Sequence, residues 1–225
     1  MEVKQFNEAI RYLKSIIKNE LKFKDTISQA LYLHSLVHVS KMSGSKEQTY
    51  EDDLWEGLSE EVAKTAVNKK GRTVVYGIWH STRIEDITAS ILIDNSKQIL
   101  DKSWIKKINS SISDTGNQLS SQEILSFSNA ININELRNYR LEVGRKTQEI
   151  IKELKFSDLK RKFPKENLEI IFHEKAVAKH PDAEWLVDFW GKKDVAGIIF
   201  MPLTRHHIVH INESNQAKSR GRKKK

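Results

Sequence analysis

The sequence predicts an all-α protein, and three observations carry that expectation. Turn-forming residues are sparse, with three prolines and nine glycines in 225 residues, too few for a sandwich or barrel that turns every 8 to 12 residues or so. Apolar residues recur mostly at helical spacing rather than in strict alternation. The chain is also 38% hydrophobic, enough at this length to bury one sizeable core, so a single domain over residues 1–217 is expected.

Along the chain, residues 2–22 and 25–41 read as amphipathic helices, with Asp25 or Thr26 as the cap of the second and a turn at 42–46 after it. Residues 50–67 place Leu54, Trp55, Leu58 and Val62 at helical spacing, and Asn68 to Gly71 break the pattern. A long helix is predicted over 72–94, where Thr73, Tyr76, His80, Ile84, Ile87 and Ile91 fall within roughly 40° of one another at helical pitch. Trp104 to Ile112 suggests a short helix and 114–118 a loop. Ser120 and Glu123 form a capping box that opens a helix to about Phe127. Asn134 is expected to cap a helix to about Lys155, and Ser157 one further turn. Residues 163–192, with Pro164, Pro181 and Gly191, read as short helices and loops. The last helix runs from Asp194 to about Gln216, with Pro202 either kinking or restarting it.

Composition excludes several classes. With no cysteine there is no disulfide framework, cysteine metal cage or cysteine nucleophile, so any metal must use His, Asp or Glu. The N-terminal MEVKQFNEAIRYLK carries charge in every turn and reads as neither signal peptide nor anchor, and no apolar run approaches about 18 residues. A cytoplasmic location and no membrane partner are the expectation. The net charge of +8 is concentrated in the last eight residues, KSRGRKKK. Without their six cations, 32 basic residues face 30 acidic ones. Residues 218–225 therefore read as a disordered basic tail that contacts nucleic acid only non-specifically.

The histidines carry the chemistry. His206 and His210 stand at i and i+4 on the last helix, sharing a face with Val195, Ile199 and Glu213, which is the spacing from which two imidazoles chelate one ion. His80 is the other histidine centred on an apolar stripe of a long helix, so the three are the expected metal ligands, and three imidazoles leave open positions for water or substrate. A hydrogen-bonded core histidine is the alternative for each. His207 points about 100° away and is read as supporting the ligands or exposed. His34 and His38 repeat the i, i+4 spacing and are read as lining or surface, and His173 and His180 carry no signal. Glu85 and Asp86 lie off the stripe and are read as a solvated or helix-bridging face.

The segments WHSTRIEDI and TRHHIVHINES together resemble the DinB-like family of helical metal-binding proteins. The resemblance implies a four-helix bundle, with extra short helices and loops here. It places a metal-binding histidine on the second long helix, at His80 after Trp79 with Arg83 and Glu85 downstream, and an HxxxH pair on the last, at His206 and His210. LSSQEILSFSNA and the helix after it are similar to the family's third-helix region, so the likeness spans about residues 20–217. Relatives commonly follow the pair with Arg-Gly-Gln where this chain has Ile211-Asn212-Glu213. Glu213 then stands to orient His206, add a ligand or act as a base on bound water, and Arg83 either reaches an anionic substrate or bridges to an acid on a neighbouring helix.

Residues 42–70 and 157–192 lengthen the chain relative to compact members, so the rim of its pocket is its own. By the same resemblance the chemistry is that of a metal-dependent enzyme, with Zn, Ni or another first-row divalent ion activating water or a low-molecular-weight thiol such as mycothiol or bacillithiol. The substrate would be a small molecule. A homodimer is a further expectation, with Trp55, Trp104, Trp185 and Trp190 offering apolar surface, and a metal-stabilised scaffold is the non-enzymatic alternative.

Overall fold

Side-chain caps decide where most helices begin in the computed structural model, which describes residues 3–222. The helices are α1 (Val3–Ile16), α2 (Phe23–Leu36), α3 (Ser40–Ser43), α4 (Tyr50–Trp55), α5 (Glu60–Thr65) and α6 (Val74–Asp86). They continue with α7 (Lys102–Ile108), α8 (Ser121–Ala130), α9 (Ile133–Glu153), α10 (Lys165–His173), α11 (Pro181–Gly191), α12 (Val195–Phe200) and α13 (His206–Arg222). Among the described residues there is no strand. Thr49, Ser59, Thr73, Asp101, Ser120, Asn132 and Asp194 each accept a hydrogen bond from the backbone N–H three residues on, a contact that typically stabilises a helix by about 1 kcal/mol.

Several predicted boundaries move for identifiable reasons. The expected helix over 2–22 ends at Ile16, and a 3₁₀ turn at Glu20–Lys22, capped by Asn19, leads into α2. Neither Asp25 nor Thr26 caps α2, which starts at Phe23 without a side-chain cap. Residues 50–67 split into two helices because Gly57 takes φ +60 and Ser59 offers a fresh cap. Asn132, not Asn134, caps α9, and the turn Phe156–Lys160 starts from Lys155 rather than Ser157. The capping box at Ser120 and Glu123 forms as predicted and opens a helix that reaches Ala130. The irregular region holds two full helices, α10 and α11.

The central element is α6. It continues without a break into a π-helix over Ile87–Ile93, and every residue from Val74 to Ile93 is buried. It packs against α13 on one side and α9 on another, with α5 and α8 closing over it. Helix α2 packs on α9, α1 covers α2, and α13 is backed by α4 and α5. One contiguous apolar core results, in which Trp79 contacts the rings of Phe127 and Tyr139. A helix surrounded on all sides has no solvent face, so a single-stripe reading of α6 underestimates how much of it is inside.

The last helical run bends at a second π segment, Met201–Arg205, between α12 and α13. Pro202 lacks the N–H that an α-helix needs there, and the Thr204 hydroxyl donates to the carbonyls of Ile199 and Phe200 at 2.8 and 3.0 Å. The proline therefore kinks the run rather than restarting it. The basic tail is shorter than expected, because α13 extends to Arg222. Lys218 is buried and donates to the carbonyls of Asp53, Leu54 and Glu56, and Arg222 donates to those of Glu56 and Gly57. Residues 223–225 of the predicted tail lie outside the described residues. No described helix is long and apolar enough to cross a membrane.

Candidate metal centre

His80 is aimed by a loop. The carbonyls of Ser113, Asp114, Thr115 and Gly116 accept hydrogen bonds from Arg83 Nε, Trp79 Nε1, His80 Nδ1 and Tyr76 Oη of α6, at 2.9, 3.0, 2.8 and 3.2 Å. The loop holds this shape because Gly116 takes φ +72 and Asp114 Oδ1 accepts its N–H at 2.7 Å. A carbonyl can only accept, so Nδ1 of His80 carries the proton and Nε2 presents its lone pair.

Helix α13 brings the other two rings to that lone pair. Ring centroids lie 4.7 Å apart for His80 and His210, 5.2 Å for His80 and His206, and 4.5 Å for His206 and His210. One ring nitrogen from each falls within 4.8 Å of the others. The Nε2 atoms of His206 and His210 stand 3.1 Å apart, close to the roughly 3.3 Å between two nitrogens that share a tetrahedral ion at about 2.0–2.1 Å. Burial pushes all three imidazoles below the ordinary histidine range, and their mutual repulsion lowers His80 and His206 further. Three neutral rings with converging nitrogens could hold a metal ion.

Glu213 is brought to this centre, against His210 rather than His206. Its Oε2 lies 3.4 Å from His210 Nδ1, while Lys70 Nζ and Arg72 reach its two oxygens at 2.7 and 3.0 Å. Burial alone would raise this carboxyl, but contacts with His210, Lys70 and Arg72 outweigh it and hold it well below the usual carboxylate range. Lys70 and Arg72 come from the stretch read only as a helix break. There Asn68 Oδ1 accepts from the N–H groups of both residues, and Gly71 takes φ +72.

The cluster forms the floor of a cavity of about 350 Å³. Trp185, Leu186, Phe189 and Trp190 of α11 make one apolar wall, Met201 and Pro202 another, and Arg72 and Asn117 the polar margin. Residues 181–191, in the stretch read as short helices and loops, thus supply much of the pocket wall. Of the four tryptophans weighed as a dimer surface, Trp190 is fully buried, whereas Trp185 remains half-exposed at the pocket.

Other sequence-predicted residues lie elsewhere. Arg83 is not at the pocket; its buried guanidinium binds Asp86 one turn away at 3.0 Å, Tyr139 Oη at 2.9 Å and Gln98 Oε1 at 2.5 Å. Glu85 and Asp86, read as a solvated or bridging face, are both buried. Asp86 also accepts from the N–H groups of Ile99 and Leu100 at 2.8 and 2.9 Å, which pins that loop. His34 and His38, read as lining or surface, are fully buried and contact Glu85 Oε1 and Oε2 at 2.6 and 2.9 Å. His207 turns to the same carboxylate, with Nε2 3.0 Å from Oε2. His180 caps α11, accepting from the N–H of Asp182 at 3.2 Å.

Sequence reasoning missed the loop carbonyls, Lys70 and Arg72, and the meeting of His34, His38 and Glu85. The repeated i, i+4 spacing of His34 and His38 was the one local signal for the last of these. Among known proteins, no family model and no curated protein matches this chain.

Proposed function

We propose that the chain is a metal-dependent enzyme in which His80, His206 and His210 hold a divalent first-row ion such as Zn²⁺ or Ni²⁺, with the DinB-like four-helix bundle, framed by α2, α6, α9 and α13, as its scaffold. The observation that carries this reading is the convergence of three neutral ring nitrogens on the floor of an otherwise apolar cavity. Three imidazoles would leave coordination positions open, as catalytic sites do, and all three side chains line the pocket. A divalent ion would lower the pKa of a bound water or thiol toward neutrality.

The chain's own groups divide the remaining work. Thr115 O fixes the ring orientation and tautomer of His80. Glu213 favours a proton on His210 Nδ1 and so turns the Nε2 lone pair toward the ion. With its oxygens already held by Lys70 and Arg72, Glu213 is a positioning residue rather than a base. The α11 wall excludes water and favours a small molecule with an apolar or aromatic body. Such a site suits hydrolysis by bound water or transfer from a small-molecule thiol, and a thiol supplied from outside accords with a chain that has no cysteine.

Metal analysis of the purified chain is the test. His206→Ala and His210→Ala should each lower the metal content by one ion per chain, and an unchanged content in both removes the reading. Bacillithiol, mycothiol and glutathione, added to metal-loaded protein, then separate the chemistries. A rise in melting temperature that disappears in His206→Ala supports thiol transfer, and no rise with any thiol leaves hydrolysis.

A further inference from the structure

Four titratable side chains meet in the core beside the open cluster, where His207 follows His206 on α13 with its ring centroid 6.3 Å away. His34 of α2, His38 just past its end, Glu85 of α6 and His207 of α13 are each at most 1% exposed. Glu85 is the focus, with one oxygen on His34 Nε2 and the other on His38 Nε2 and His207 Nε2.

The guanidinium beside the cluster, Arg140, is already paired with Glu51 at 2.7 Å, and a buried carboxylate is costly unless it is paired.

The proton positions separate the three imidazoles. Both terminal nitrogens of Arg140 lie 3.4 Å from His207 Nδ1, and a guanidinium only donates. That leaves the proton on His207 Nε2, facing Glu85. A carboxylate only accepts, so His34 and His38 each donate Nε2–H to Glu85 at 2.6 and 2.9 Å; their Nδ1 atoms have no partner, so each proton can shift to Nδ1 and release the Nε2 lone pair to an ion.

We propose that His34 Nε2, His38 Nε2 and Glu85 form a second metal site, for a first-row divalent ion such as Zn²⁺, with His207 holding the carboxylate in place. The donors come as an i, i+4 imidazole pair and a carboxylate from the facing helix, two nitrogens and one oxygen that lie within 4.8 Å of one another, a set suited to such ions. Ligand bonds of about 2.0–2.2 Å need donors about 3.3 Å apart, so the rings and carboxylate must part by roughly half an ångström. Helix α9 keeps a glycine where the His38 ring lies, since a Cβ at Gly144 would stand 2.9 Å from Nδ1. None of these side chains lines the pocket, so the ion would be structural, tying α2 to α6. The inference stands apart from the reading of the open cluster.

The test counts ions. The full chain, the His206→Ala/His210→Ala double variant and the Glu85→Gln variant are stripped in denaturant, refolded with excess Zn²⁺ or Co²⁺, desalted and weighed by native mass spectrometry. The expected counts are two, one and one. The double variant leaves His34, His38 and Glu85 intact, so the result does not depend on Glu85→Gln folding. A double variant that holds no ion overturns the proposal, as does a Glu85→Gln chain that holds as many as the wild type. A wild-type count of one that persists in the double variant supports this site and removes the open one instead.

Discussion

His206 and His207 are neighbours on α13, their ring centroids 6.3 Å apart, yet they belong to clusters of opposite character. His206 joins His80 and His210 beneath a cavity, where the outer nitrogen of His80 is held by a carbonyl and that of His210 faces a carboxylate. His207 joins His34, His38 and Glu85 in a packed interior, where the outer nitrogens of His34 and His38 have no partner. The residue types are nearly the same. Access makes the difference: the open cluster lines a cavity, so a coordination position there can stay available, and a closed one can only hold its occupant.

The largest expected effect is on acid stability. Burial depresses His80, His206 and His210 of the open cluster and His38 and His207 of the closed one, the last two to about 3, whereas in the unfolded chain they titrate near 6.5. Between those values the unfolded state binds protons that the folded state refuses, so stability rises with pH and is lost as pH falls below about 6.5. Each such group contributes up to about 1.4 kcal/mol per pH unit. The depressed carboxyls of Glu85 and Glu213 act in the same sense below about pH 4.5. The melting temperature of metal-free protein should therefore fall steadily from pH 7 to pH 4. It should fall less in His206→Ala/His210→Ala, which keeps only the closed cluster and His80. Equal slopes would mean that the open cluster is not buried in the neutral form.

A smaller effect tests whether Arg83 belongs to either cluster. Arg83→Met leaves Asp86 buried without its cation, and breaking such a pair costs about 3–5 kcal/mol. Urea denaturation should show that loss, while the folded variant keeps its full complement of metal. Loss of the ion with stability intact would return Arg83 to the site. The smallest effect is at Glu213. Glu213→Gln should weaken metal binding at the open cluster by about 10–100-fold, as removal of an orienting partner does, and leave the closed cluster's ion in place. Equal weakening at both, measured by competition with a chelator, would erase the distinction between them.

Much of the open cluster is legible in the chain because its signals are local. An i, i+4 histidine pair and a histidine on an apolar stripe need only helical pitch to be found. The closed cluster was hidden by the same method. A stripe presumes one buried face, and α6 is buried on all of its faces, so Glu85 and Asp86, read as solvated or helix-bridging, prove to be inside and to bridge helices. The π segments at 87–93 and 201–205 also change the turn per residue, which shifts every phase read beyond them. The loop carbonyls that aim His80 leave no trace in sequence, since any residue type supplies a carbonyl.

The sequence by itself determined the all-helical class, the capping box at Ser120 and Glu123 as local chemistry, the exclusion of cysteine ligands, and the three imidazoles that the structure brings together. These follow from propensity, spacing and side-chain type, which act over one or two turns. Only the tertiary structure decided that Arg83 faces Asp86, that Lys70 and Arg72 hold Glu213, that α11 walls the pocket, and that His34, His38 and His207 converge on one carboxylate. Each of these joins residues on different elements or resolves competition among several partners, and such pairings are set by how the helices pack.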